Sequence, residues 1–506
     1  MGRLDSQLAL LLLICIILLT SPFSALAQVD APLLMQGVDH ETGASAASRG
    51  AGGLTFAIRN DAGLMFTSPA SLESLTSFQI VAGGFWTSQK FSQTQQYTPL
   101  KYYPNFSLLM EGLTDRIGNP DPNKPGVRLT DAGDTVQRPF DNLLPNWGLT
   151  RHRTLPLELM AAVPFMLGET KLVAAAGMTE YADLDHYYLN NNILTPDIGS
   201  ERPVPVNLPL TDSLPVVTQW QQFVRIREGS IRAYGGALAA KLSDKITLGA
   251  SGMLLKGTSD DVASRTDRGR LTFYRNYFRA EPLTGGSLST GTSDYSGWEL
   301  TLSGLYTGKY LTLGFAARPP TTITRTFRGT VGVTLPLDVR SSQDNRAYIA
   351  TAVEQKDKIK LPWRGTVGLS LAVLQSLHLG VEYEYRPYGS AEYLDPNGTV
   401  SNPWLSASVL HIGAELQALP WLTLRAGMRD RGEVFEPEGN PLPGETVGGM
   451  IYTGGVGATF GPLRLNVAYE YNTLRYQDMW LTNVNLQSSS SHTIVADVAY
   501  EIPFTN

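Results

Sequence analysis

Residues that could do chemistry are few and scattered in this chain. His411 stands four residues before Glu415, a histidine–carboxylate spacing that would serve acid–base catalysis if both groups reached one site. Asp183, Asp185 and His186 form a small oxygen-and-imidazole set of the kind that can hold a cation such as calcium. Against both, a wall histidine and a solvated acidic loop are the plainer readings. Gly455-Val456-Gly457 looks like part of a dinucleotide fingerprint, but no helix pattern follows it, and small residues at a strand position explain it better. The chain has no H-E-x-x-H, no phosphate-cradling G-x-x-x-x-G-K and no G-x-S-x-G elbow. No catalytic residue, metal ligand or cofactor site is therefore expected, and the protein is not expected to be an enzyme.

A second chemical pattern is periodic. Glu299, Arg318, Glu382, Glu384, Arg386, Glu415, Arg425, Arg429, Arg464, Glu470, Asp497 and Glu501 all fall on the polar phase of alternating segments. Both signs are mixed. A pore selective for one ion charge would carry an excess of the other. A mixed set implies pairing between neighbouring strands, and bonds to something that lies between them.

The elements that must position these charges are β-strands. Leu463-Arg464-Leu465-Asn466-Val467-Ala468-Tyr469-Glu470-Tyr471 places Leu, Val and Tyr on one face and Arg, Asn, Ala and Glu on the other. Residues 377–385, 422–429 and 494–502 repeat the pattern. The connections alternate in length. Short ones fall at Leu167-Gly168-Glu169, Ser243-Asp244-Lys245, Thr307-Gly308-Lys309, Leu374-Gln375-Ser376, Ala418-Leu419-Pro420 and Gly461-Pro462. Long ones are expected around residues 90–153, 182–229, 258–294, 328–345, 387–405, 432–448 and 476–491. A soluble sandwich also alternates, but short inner turns opposed to long outer loops belong to outer-membrane barrels. The reading is an all-β, transmembrane antiparallel β-barrel of about fourteen strands, the eighth running from about Arg346 to Leu371. Tyr306, Tyr310, Trp363, Trp421 and Phe460 are expected in an aromatic girdle near the short turns. Charged residues make up only 17% of the chain, and no stretch after residue 27 approaches the roughly 20 apolar residues of a membrane helix. A net charge of -6 argues against nucleic acid as a partner.

The N-terminus reads as a signal peptide over residues 1–27, with an apolar core from Leu8 to Leu19 and Ala25-Leu26-Ala27 as the cleavage site. The single cysteine, Cys15, lies inside that core, so cleavage leaves a chain without thiols. Residues 28–76 are expected to form a plug, or hatch, and residues 77–506 the barrel, with a short helix over Phe106 to Ile117 in the first outer loop.

The segment Arg49-Gly50-Ala51-Gly52-Gly53, leading to Asn60-Asp61-Ala62-Gly63 and Phe66-Thr67-Ser68-Pro69-Ala70-Ser71-Leu72, resembles the N-terminal plug of the FadL/TodX family of outer-membrane transporters for hydrophobic compounds. Ser68 stands where that family usually has Asn. The PorV-type barrels of secretion systems share the plug style. The resemblance implies hatch-gated uptake of hydrophobic small molecules, such as long-chain fatty acids or aromatic hydrocarbons, in the bacterial outer membrane. The alternative is a non-transporting barrel that binds or hands over secreted proteins. Implied partners are the hydrophobic ligand, outer-membrane lipid and the barrel assembly machinery. Physical reasoning points the same way, because a barrel this wide leaks unless filled, and small residues let a plug approach its wall. Asn60, Asp61, Leu64, Met65, Phe66, Ser68, Pro69 and Ala70 are the expected hatch residues. Leu64, Met65 and Phe66 are expected at the ligand pocket, Asp61 against Arg425 or Arg464, and a strand kink near Gly177 would open a path.

Overall fold

Alternation in the sequence becomes a two-faced wall. In the computed structural model Leu463, Leu465, Val467 and Tyr469 are each 40–48% exposed, while Asn466, Ala468 and Glu470 between them are buried. The structure describes residues 44–97, 147–195, 216–273, 278–282, 285–334, 348–402, 404–435, 447–480 and 483–503. The leader over residues 1–27, the helix at Phe106 to Ile117 and the terminal Phe504 lie outside the described residues.

The strands are β1 (Phe78–Tyr97), β2 (Trp147–Leu167), β3 (Thr170–Asp183), β4 (His186–Thr195), β5 (Val216–Lys241), β6 (Ile246–Phe273), β7 (Phe278–Pro282), β8 (Gly286–Thr307), β9 (Leu311–Arg318) and β10 (Thr321–Thr334). They continue with β11 (Tyr348–Leu361), β12 (Arg364–Leu374), β13 (Leu377–Arg386), β14 (Glu392–Leu394), β15 (Val400–Ser401), β16 (Ala407–Leu419), β17 (Leu422–Asp430), β18 (Gly449–Phe460), β19 (Leu463–Trp480) and β20 (Asn483–Ile502). They form one antiparallel sheet that closes where β20 pairs with β1. Several wall positions are built from two strands in line. β3 and β4 both pair with β5; β9 and β10 both pair with β8. β11 and β12 share the next position, and β13 with β14 the one after it. Counted this way the barrel has 14 strands, with β7 and β15 as short additions beside it.

Two of these in-line breaks have a local cause in proline. Pro319-Pro320 separates β9 from β10, and Pro362-Trp363 separates β11 from β12. Proline offers no N–H to the ladder. The eighth wall position thus runs from Tyr348 to Leu374 with an interruption.

The six short turns join strands at one end of the barrel, as the spacing predicts. The outer end differs from expectation. Much of residues 182–229 and 258–294, read as loop, is strand: β5 has 26 residues and β6 has 28. Beyond the lipid belt the outward face need not be apolar, so the alternation that marks a strand fades there. Trp363 is also displaced. It lies outward at the β11–β12 break, ringed with Tyr385 at 6.1 Å, eleven residues from the turn that follows Leu374.

The outer face carries a continuous apolar belt, including Leu238, Leu248, Leu254, Leu302, Phe315 and Val456. An exposed apolar surface of this extent needs a lipid partner. Among the described residues no helix is long and apolar enough to cross a membrane.

Candidate functional site

Residues 44–77 fill the lumen. They hold a short helix, α1 (Ala46–Gly50), and 3-10 turns at Ala62–Leu64 and Pro69–Ser74. So short a chain cannot satisfy its own backbone, and the wall supplies the partners. The Ala46 N–H donates to Asp497 at 2.9 Å and the Gly52 N–H to Thr453 at 2.9 Å. One carboxylate, Glu382, accepts from the Thr55 N–H at 2.6 Å, the Phe56 N–H at 2.7 Å and the Thr55 hydroxyl at 2.9 Å. Across the lumen the Ala70 N–H donates to Ser303 at 2.8 Å, and Thr301 donates to the Phe66 carbonyl at 3.0 Å. Buried hydrogen bonds to a charged group are the strong ones.

Contact this close requires wall residues without side chains. A Cβ at Gly413 would stand 2.1 Å from the Ala51 carbonyl oxygen, one at Gly427 2.4 Å from the Gly52 nitrogen, and one at Gly249 2.3 Å from the Ala70 nitrogen. Gly455 meets the Cα of Gly50 in the same manner, which gives Gly455-Val456-Gly457 its role. These seats were missed in the sequence, although glycine inside a strand is itself the signal of a close backbone approach.

The expected hatch residues take different places. Asn60 is left-handed, with φ of 56°, and its amide donates to Glu501 at 2.9 Å while its carbonyl accepts from Arg464 at 2.5 Å. Asp61 meets neither Arg425 nor Arg464. Its carboxylate accepts from the Ser45 hydroxyl at 2.5 Å and the Gly63 N–H at 2.9 Å, so local hydrogen bonds replace the expected cation. Leu64 packs within the plug against Leu54 and Ile58, and Met65 packs against the barrel wall; of the trio only Phe66 reaches the cavity. Ser68 bonds Ser71 at 2.8 Å, Pro69 opens the second 3-10 turn, and Ala70 is fully buried.

The lumen charges are paired. Glu384 accepts from Arg386 at 2.8 Å, and Glu415 from Arg425 directly across the strand at 2.7 Å. Glu470 bridges Arg429, at 2.8 Å, to Arg49 of the plug. Arg464 lies 3.2 Å from Glu501. His411 bonds the Gly52 carbonyl at 2.9 Å and is 3.8 Å from Glu384, so it anchors the plug and is not paired with Glu415.

Beyond the plug lies a cavity of about 290 Å³. It borders a defect in the wall. The β2–β3 ladder runs from Leu167↔Thr170 to Glu158↔Thr179 and stops, whereas β1 stays paired with β2 up to Trp147. A bulge at Tyr181 and the break at Leu184-Asp185 turn β3 away. Gly177, where the kink was expected, is in regular register with Met160. Side chains bridge what the backbone leaves open. Arg153 pairs with Glu180 at 2.5 Å, Asp183 at 3.0 Å and Asp185 at 3.4 Å. Asp183 and Asp185, weighed as cation ligands, are thus held by a guanidinium, and no metal-holding group exists among the described residues. Burial and then Asp183 push the Asp185 carboxyl up to about 6. The rest of the gap is aromatic: Trp147 meets Tyr187 at 5.1 Å, Phe91 meets Tyr187 at 6.4 Å, and Arg153 lies over Phe85 at 5.3 Å.

A plug bonded around its perimeter, with a lateral gap beside the cavity above it, is a recognisable arrangement. No family model matches the sequence, and no curated protein is similar to it in sequence. Solved structures do match. A FadL homologue of Pseudomonas aeruginosa is similar at 13% identity with a TM-score of 0.54, over 90% of this chain and 98% of that one. The toluene transporter TodX of P. putida is similar at 13% identity with a TM-score of 0.50, over 91% and 99%. A deltaS2 variant of TodX, described as a monoaromatic hydrocarbon channel, gives 14% identity and a TM-score of 0.52, over 91% and 99%. The fold is that of the FadL and TodX channels. The likeness spans the whole barrel, and at such identity it is a likeness of fold.

Proposed function

We propose that this protein is an outer-membrane channel for the uptake of hydrophobic small molecules, and that its ligands are neutral, aromatic hydrocarbons rather than fatty acid anions. The observation that carries the reading is the lateral gap between β2 and β3, lined by Phe85, Phe91, Trp147 and Tyr187 and continuous with the cavity. An apolar solute entering from outside would collect on these rings and pass down to the foot of the gap at Glu158 and Thr179, nine residues above the short turn and so at the outer edge of the apolar belt. It would leave sideways into the lipid there, never crossing the plugged polar tube. The expected signal peptide supports export to that membrane, and the similar structures include a toluene transporter.

The charge pattern favours the neutral class. Every arginine lining the cavity has a carboxylate partner: Arg49 and Arg429 share Glu470, Arg153 has Glu180, Arg318 has Glu299, Arg386 has Glu384 and Arg431 has Glu433. A fatty acid head group would have to displace one of these partners. In the gap itself one guanidinium faces three carboxylates, a surplus of negative charge that repels an anion.

The test is uptake by cells that express the protein. Labelled toluene should enter several-fold faster than in cells without it, while labelled oleate should show no gain. Equal acceleration of both would reject the neutral-ligand reading, and acceleration of neither would reject uptake.

A further inference from the structure

The outer wall that adjoins the gap, from β5 round to β11, carries a group of cations that transport does not use. Antiparallel register aligns Arg232 of β5, Lys256 of β6, Ser296 of β8, Thr324 of β10 and Lys358 of β11 in one rung across the sheet. The next rung adds Thr258, Asp294, Thr326 and Lys356, with Asp294 held by Arg328 at 2.7 Å. All these side chains point outward. They share strand parity with exposed Tyr234, Leu238 and Leu254, while Asp357, Ile359 and Leu361 between the lysines are buried.

The position is the outer edge of the apolar belt. Lys256 lies ten residues beyond Ile246, where β6 leaves its short turn. At about 3.3 Å per residue and a tilt of about 40°, that is a height of about 25 Å, the usual span of a barrel's apolar band. Tyr234 and Trp298, both exposed, sit just below it. The rung is perpendicular to tilted strands, so it climbs away from the belt toward Lys358.

These charges are unspent. Arg328 holds Asp294 at 2.7 Å and Glu354 at 3.3 Å, and Lys360 holds Glu392 at 2.8 Å. Among the described residues no carboxylate is within ion-pair distance of Arg232, Lys256, Lys356 or Lys358. A recess in the outer wall runs between Arg232, Tyr234, Lys256, Thr258, Ser296 and the Arg328-paired Asp294. The opposite wall differs. At the corresponding height β19 and β20 present Tyr471, Thr473, Ser490 and His492, with one cation, Arg475, just above them.

We infer that this rung is a binding site for the phosphate groups of an outer-leaflet glycolipid. Cations at a membrane edge, flanked by hydroxyl donors and with acyl-compatible surface below, match a phosphorylated head group with its chains along the belt. The inference rests on the outer-membrane location and not on transport, so the two can fail separately.

The probe is bisphosphorylated lipid A, added to the full-length mature barrel in detergent and read by native mass spectrometry. Wild type should retain it, and Arg232→Gln/Lys256→Gln/Lys358→Gln should lose at least tenfold in retention while keeping heat-dependent gel migration. Lys245→Gln/Lys309→Gln, at the other rim, should bind as wild type does. Dephosphorylated lipid A should be retained at least tenfold less. Undiminished retention by the triple variant, or of the dephosphorylated lipid, would overturn the assignment. So would displacement by millimolar inorganic phosphate, which would make the ligand a free anion rather than a lipid.

Discussion

Two parts of the same wall are built differently. From β19 through β20 to β1 the ladder is unbroken, with β20 matched to β1 from Phe78↔Ile502 to Tyr97↔Asn483. Between β2 and β3 it ends at Glu158↔Thr179, and Arg153 with its carboxylates and a cluster of rings takes over. Backbone ladders are closed by many equivalent hydrogen bonds, so no single side chain decides them. A side-chain seal depends on a few groups and can be opened by moving them. The plug follows the same division: its hydrogen bonds to the sealed wall include the buried carboxylates Asp497 and Glu382, while its Phe66 faces the cavity.

The largest effect should come from removing what the sealed wall holds. Deleting residues 50–72 should raise single-channel conductance to small ions by tenfold or more, because the lumen would then be open. An unchanged conductance in planar bilayers would mean that the segment does not close the tube.

Next in size is the gap's own closure. Arg153→Ala should leave buried Glu180 without its cation, at a cost of about 3–5 kcal/mol. Arg425→Ala, next to a continuous ladder, should cost about 1 kcal/mol. Denaturant unfolding of the two variants ranks them, and equal losses would erase the distinction between the regions.

Plug seats come third. Gly413→Val places a side chain where the Ala51 carbonyl lies and should cost about 1–3 kcal/mol by overpacking. It should also give partial leakage to small ions, less than the deletion gives.

The smallest effect is that of pH on the gap. Asp185 is held up to about 6, above the roughly 3.9 of a free aspartate, so the folded chain binds this proton more tightly than the unfolded one. Its contribution to stability therefore increases as pH falls from 7.5 through 6 to 5, by about 1 kcal/mol. Thermal melting at pH 7.5 and pH 5 should show a pH-dependent gain in wild type that is smaller by this amount in Asp185→Asn.

The barrel was readable in the sequence where lipid imposes alternation, as in residues 463–471, and where turns are tight, as at Gly168 and Gly461. It was unreadable where lipid stops, which is why the outer halves of β5 and β6 passed for loop. The wall charges could be found from their phase alone, but their partners could not: Asp61 finds Ser45, sixteen residues away in the plug, and His411 finds a plug carbonyl. The gap left no mark at Gly177, because it is an absence of pairing that follows from a bulge several residues later.

The central claim is that the ligand leaves through the side-chain-sealed gap. The mature chain is expected to lack cysteine, so Trp147→Cys and Tyr187→Cys, replacing rings 5.1 Å apart across the gap, can be joined by a short cleavable bismaleimide. Toluene uptake should fall to the background of cells lacking the protein when the bridge is formed and return when it is cleaved, with the unbridged double variant as reference. Uptake that is unchanged by the bridge would contradict the lateral route.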